Sequence, residues 1–236
     1  MVACFTEPRT PPKYSDVRKC PNAVTILSIV YNHVLCKFLV AIAATTAIRV
    51  PLTAITEFLA RHRPRRIVEP DAIQAAVAVV LATHTSGDPE LLLIKRAEHE
   101  GDPWSGQMAL PGGRHEALDA DLLHTARRET LEETGIDLSG HPLLGELDDL
   151  HPRSKVLPPI VVRPFVFGVA DRPDVRVSDE VTLHLWVRLS ELRASSRRSQ
   201  VVIRGVALDV ASYVLGPHVV WGMTERILKP IIELTD

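Results

Sequence analysis

Cysteine is almost missing from this chain. Only three occur in 236 residues, Cys4, Cys20 and Cys36, and none follows. A disulfide framework would not confine itself to one tail, and the even spacing is not that of zinc ligands. The three read as reduced thiols of a cytoplasmic protein. Net charge is nearly missing too, at −2 from 27 basic and 29 acidic residues. That excludes a general attraction for nucleic acid or an anionic membrane. There is no internal repeat and no low-complexity tract. His115, His124 and His151 have no partner at ligand spacing and take no role. What remains is 46% hydrophobic and 24% charged, enough for one substantial soluble domain with additions.

The additions lie at the front. Positions 1–21 are polar and carry Pro8, Pro11, Pro12 and Pro21, which suits a flexible tail. Ala23 to Ile48 is long enough to span a bilayer, but Asn32, His33 and Lys37 interrupt it, and a central lysine costs about 2.5–3.5 kcal/mol on insertion. A packed helix, a weak anchor and an extension that does not fold all remain open, with membrane association the least favoured. Leu52, Ile55, Phe58 and Leu59 mark an amphipathic helix that Pro64 ends, and Arg61, Arg63, Arg65 and Arg66 form a basic linker. The reading is therefore an extension over 1–50, a helix and linker over 51–66, and the domain proper over 67–236.

Strands dominate that domain. Ala72 to Ala82 and Leu91 to Arg96 read as a hairpin around Ser86-Gly87-Asp88-Pro89. Leu143 to Leu150, Val161 to Ala170 and Val181 to Leu189 are further strands. Ser190 to Ser196 reads as a short helix, and Gly222 to Leu234 as a longer one containing Pro230. Strands on both sides of a central helix give an α+β class.

The central helix carries the chemistry. Pro111-Gly112-Gly113 is a tight turn, and Gly135 stops the helix that follows. Glu129, Glu132 and Glu133 sit at i, i+3 and i+4, projecting from one side. Leu122, Ala126, Glu129 and Glu133 share one meridian, so the acids continue an apolar stripe and should lie in a partly desolvated cleft. Clustered carboxylates repel one another, and a hard cation, Mg²⁺ or Mn²⁺, relieves that repulsion.

These residues resemble the Nudix box, G-x5-E-x7-R-E-U-x-E-E-x-G-U with U apolar. Arg128-Glu129, Glu132-Glu133, Gly135 and Ile136 match its second half, with Thr130 at one U position. In the first half, Gly113 stands one residue further from Arg128, and Asp119 is the nearest acid to the early glutamate. That expansion is similar to the subgroup that hydrolyses coenzyme A. Leu92-Leu93-Ile94-Lys95-Arg96-Ala97, Gly106 to Gly113 and Trp221-Gly222-Met223-Thr224 also resemble it. Leu110 in place of an aromatic and Asp102 near an expected arginine depart from it.

The resemblance implies an α/β/α sandwich with a mixed sheet and the box helix at its centre. It implies metal held by Glu129, Glu132, Glu133 and Gly113, with Arg128 orienting a neighbouring glutamate. Arg96, Trp104 and Glu180 are substrate-side candidates, each with an ordinary structural alternative. The expected activity is metal-dependent cleavage of a pyrophosphate in coenzyme A or an acyl-coenzyme A. ADP-ribose, NADH or another nucleotide sugar is the alternative substrate. A silent nucleotide-binding sensor is the alternative of another kind, and a homodimer is left open.

Overall fold

Strand β1 (Ile73–Ala82) carries the sheet, because its alternate side chains feed two separate cores. Ala75, Val79 and Leu81 join one core, and Ala76, Ala78, Val80 and Ala82 the other. A strand buried on both faces reads as an unbroken apolar run, as AAVAVVLA does here. The structure, a computed structural model, describes residues 49–102, 104–152, 158–203 and 205–234. The expectations for the front of the chain, cysteines included, fall outside the described residues except at 49 and 50. Among the described residues, no helix is long and apolar enough to cross a membrane.

On one edge, β1 pairs in parallel with β6 (Ile160–Val169) over ten consecutive positions, and β5 (Leu143–Glu146) lies beyond, antiparallel. On the other edge, β2 (Glu90–Arg96) meets β1 at Leu81 and Ala82, and then β4 (Gly112–Arg114) takes over opposite Ala75 to Val77. β2 in turn pairs with β3 (Met108–Ala109) and β7 (Val181–Arg188). The expected hairpin is present but short.

One face of this seven-stranded mixed sheet is covered by the box helix, here α2 (Leu122–Thr134), through Leu122, Leu123 and Ala126. The other is covered by α1 (Leu52–Arg61), α3 (Leu189–Ala194) and α4 (Gly222–Ile232), through Ile55, Leu59, Leu192, Leu228 and Ile231. The result is a three-layer α/β/α sandwich. The box helix lies against the central strand, on one face of the sheet. Between α3 and α4 stands a second sheet that the sequence reading missed. It comprises β8 (Ser196–Ile203), β9 (Val206–Leu215) and β10 (His218–Trp221), in the order β10-β9-β8.

The folded unit takes in the helix that was set ahead of Ile67. Ile55 is fully buried and Leu59 nearly so, and the backbone at Gly145 lies against Leu59. The residues expected to form a linker are fastened to the sheet. Arg65 donates its N–H to Asp148 at 3.0 Å, where His62 also bonds at 2.9 Å, and Arg66 pairs with Glu146. Asp149, its side chain fully buried, accepts two bonds of 2.9 Å from Arg163, one of 3.0 Å from the Ile67 N–H and one of 3.3 Å from Arg66. Burial alone would raise this carboxyl, yet those donors hold it below the usual aspartate value.

Asp149→Ala leaves two arginines facing an empty acceptor position and is expected to cost about 3–5 kcal/mol at pH 7. A carboxyl depressed in the folded state stabilises above its unfolded value and loses that contribution as pH falls through the folded one. The gap between wild type and variant should therefore narrow toward pH 3 in urea denaturation. A cost under 1 kcal/mol at pH 7 would show that the clamp is dispensable.

Candidate active site

Two glycines set how closely β4 and α2 approach. Gly112 has φ 149°, and a Cβ there would lie 2.3 Å from the Ala76 carbonyl oxygen of β1. Its N–H instead donates to Glu133 Oε2 at 2.9 Å. A Cβ on Gly113 would lie 2.3 Å from Glu129 Oε1. Turn and helix thus meet at a separation that only hydrogen fills. Helix α2 is capped by Asp121, which accepts the His124 N–H at 2.7 Å, and ends on Gly135 at φ 73°.

The shared meridian places Glu133 in the interior, 2% exposed, directly past the buried Ala126. The Glu129 side chain is 15% exposed, whereas that of Glu132 is 57% exposed. Arg128 binds both of these through one nitrogen, Nη1, at 3.1 Å and 3.0 Å. Its other donors grip Asp119 with two bonds of 2.9 Å and reach the Arg114 carbonyl at 3.1 Å.

Asp119 is buried and is fixed further by the Glu116 N–H, Thr125 Oγ1 and His124 Nδ1, all within 3.0 Å. His115 bonds Thr125 at 2.9 Å and completes the surround. The bidentate arginine first, with those other donors, holds the Asp119 carboxyl far below its usual range and pushes the guanidinium up. Asp119 and Arg128, on either side of the helix start, are thus joined in one ion pair.

The cleft is short of positive charge. Burial, above all, pushes Glu133 up to about 8. The Gly112 N–H and Arg96 partly offset that, and the neighbouring Glu129 and Glu180 add to it. Glu129 is raised as well, again by burial first, with Arg128 opposing and Glu132 and Glu180 reinforcing. Arg96 stands beside them, with Nη1 3.7 Å from Glu133 Oε1 and Nη2 3.2 Å from Asp102 Oδ2. Its Nε is buried and has no hydrogen-bond partner among the described residues. Asp102, the residue at odds with the subgroup pattern, thus has a use as the anchor of Arg96.

One cleft of about 1680 Å³ is lined by all of the residues the sequence singled out: Gly113, Arg128 and the three box glutamates, with Arg96, Trp104 and Glu180. Trp104 lines the cleft and packs against the core. Thr224, in the tail motif, ties α4 to β3 by donating to the Met108 carbonyl at 3.3 Å.

The NUDIX domain family profile matches residues 72–204, more than half of the chain. The chain belongs to the Nudix hydrolase family. Among curated relatives, it is 28% identical over 180 residues to the mitochondrial coenzyme A diphosphatase NUDT8 of Mus musculus, covering 75% of this chain and 84% of that protein. It is 30% identical over 168 residues to the NUDT8 of Homo sapiens, covering 68% of each. An uncharacterized protein of Schizosaccharomyces pombe, C14C4.10c, is 32% identical over 167 residues, covering 62% of this chain, which spans 51% of that relative's length.

In this Nudix domain the box acids are not a finished ligand set. Among the described residues, no three acidic or histidine side chains stand at metal-binding spacing. The expectation of three carboxylates on one side is met by the backbone positions but not by the side-chain ends. Arg128 draws Glu132 outward, while Gly112 holds Glu133 inward. The donor set still fits a hard divalent cation: all oxygen, partly desolvated and mutually repelling beside a turn with no Cβ.

The Nudix pattern gave no hint of Val201, Ile203, Val206 and Leu208, which line the same cleft from β8 and β9. Gly205 between two apolar stretches was the available signal in the sequence.

Glu133 sets a pH dependence in the cation-free protein. An acid raised in the fold contributes stability that is fully present below its unfolded value and is lost as pH rises through the folded one. Stability should thus fall between about pH 4.5 and 8, by at most about 1.4 kcal/mol per pH unit from this group. Glu133→Gln should flatten that fall when both proteins are melted in chelator. An unchanged slope in the variant would refute the assignment.

Proposed function

We propose that the chain hydrolyses the pyrophosphate of coenzyme A or an acyl-coenzyme A, giving 3′,5′-ADP and the (acyl-)4′-phosphopantetheine. The observation that supports the chemistry is the pair of raised, desolvated carboxylates, Glu129 and Glu133, beside Gly113. A silent sensor would have no use for buried acids held at such cost. The coenzyme A reading is supported by the NUDT8 relatives together with the approach and tail motifs.

In this reading Glu129, Glu132, Glu133 and the backbone at Gly113 would hold Mg²⁺ or Mn²⁺. When bound, the cation neutralises phosphoryl oxygen charge and acidifies an attacking water. The chain's own residues do the rest. Asp119 locks Arg128, and Arg128 sets the directions of Glu129 and Glu132. The Gly112 N–H fixes Glu133. Arg96, which lines the cleft, offers a charged guanidinium to a substrate phosphate, and Glu180 supplies a further cleft carboxylate.

The deciding measurement is kcat/KM under one metal condition for coenzyme A, dephospho-coenzyme A, ADP-ribose and NADH, with products identified. A charge-assisted contact to the 3′-phosphate is worth about 1.5–3 kcal/mol, so coenzyme A should exceed its dephospho form by roughly ten- to hundredfold. A tenfold advantage for ADP-ribose or NADH would overturn the substrate.

A further inference from the structure

Strand β10 supports β9 only from Ser212 to Leu215, so the rest of the second sheet is a two-stranded ribbon. Across that ribbon Val201 stands opposite Leu208, and Ile203 opposite Val206. Pairs two positions apart share a face, so these four apolar side chains form one surface. None belongs to either core, and Val206 and Leu208 are 59% and 42% exposed. The opposite face carries the Arg198–Asp209 ion pair and Gln200, with the exposed Val202 and Ala207 beside the turn. Apolar side chains thus gather on one face of the ribbon, and among the described residues that face packs against neither core.

That side lines the same cleft as Glu129 and Glu133. At about 1680 Å³ the cleft exceeds the roughly 300–1,000 Å³ of an ordinary small-molecule site. One wall is carboxylates and arginines, and the other is hydrocarbon. A ligand that satisfies both has a diphosphate at one end and an apolar arm at the other. The amides of a pantetheine arm would find no hydrogen-bonding side chain among these four residues, whereas an acyl chain requires none.

We propose that Val201, Ile203, Val206 and Leu208 bind the hydrocarbon arm of an acyl-coenzyme A, so that fatty-acyl thioesters are taken in preference to the free thiol. This rests on the coenzyme A reading and names the half of the substrate that the ribbon recognises.

The experiment is calorimetric binding in chelator, where no turnover occurs, of coenzyme A and its acetyl, octanoyl and lauroyl thioesters. A fully buried methylene is worth about fourfold in affinity, and a one-sided wall less. Octanoyl-coenzyme A should therefore bind roughly tenfold to hundredfold more tightly than acetyl-coenzyme A. In V206S/L208S that ratio should fall toward one, while A207S, on the outer face, should leave it unchanged. V206S alone, at the more exposed of the two positions, repeats the test should the double variant melt early.

Equal affinity for the short and long thioesters in the wild type would overturn the proposal. So would a dimer in sedimentation that V206S/L208S dissociates, since a second copy would then cover the ribbon. Failure of all four compounds to be cleaved with Mg²⁺ is a different failure, removing the coenzyme A reading itself, whereas no binding of the long thioesters in chelator overturns the acyl site alone.

Discussion

Glu133→Gln and Glu129→Gln are each expected to lower turnover with Mg²⁺ by about a hundredfold or more without loss of fold. Residues that merely orient a metal ligand are worth 10–100-fold, and removal of a ligand exceeds that. Both substitutions keep the side-chain volume. Glutamine at 133 can still accept the Gly112 N–H through its carbonyl oxygen, so the link between β4 and α2 survives. The charge lost is one that burial already disfavours. The cation-free variant should therefore melt no earlier than wild type at pH 8, and by the linkage argued above it should melt later. Turnover with Mg²⁺ and melting in chelator separate the two effects. Near-normal turnover in both variants would remove the metal-site reading altogether.

The neighbouring glycines should fail in opposite ways. Gly112→Ala drives a methyl group to 2.3 Å from the Ala76 carbonyl and 2.6 Å from Val77 Cα, both backbone of the central strand, at a φ that L-residues rarely adopt. Nothing there yields without parting β4 from β1, and the loss should be about 3–5 kcal/mol, read as a lower denaturation midpoint. Gly113→Ala meets the Glu129 carboxylate, the far end of a side chain that can swing away. That variant should keep most of its stability and lose most of its activity. A Gly113→Ala enzyme with wild-type kcat/KM would show that the position of Glu129 against the turn is immaterial.

Local pattern carried much of this from the sequence. The box helix was legible because its acids and its Gly135 stop are set by spacing within one helix. β1, β2 and β6 were legible because strands buried on both faces cannot hide their apolar runs, and β7 because Val181, Leu183, Leu185 and Val187 alternate with Thr182 and His184. The second sheet was not. β8 opens with Ser196-Arg197-Arg198-Ser199-Gln200, and its apolar face lies over a cleft instead of the core, so burial left only a weak imprint. The partnership of Arg96 with Asp102 and Glu133 could not be read from spacing either, since it depends on how β2 and the β2–β3 loop sit over α2. Nor could the divergence of Glu132 from Glu133, which is decided by which donor each finds. Arg65 and Arg66 read as part of a basic linker because Asp148 and Asp149, their partners, lie more than eighty positions away.

The parallel pairing of β1 with β6 bears on the order of assembly. Ile73 meets Ile160 across 87 residues, and the box helix is made between them. A helix of 13 residues is marginal alone in water, and Phe165 and Phe167 of β6 share the core on which α2 rests. During synthesis the core under the helix is therefore complete only once β6 has joined β1, and closing so long a loop is slow. Sheet closure and the appearance of the cleft are one kinetic event, so refolding followed by sheet-sensitive circular dichroism and by recovery of activity should show a shared rate.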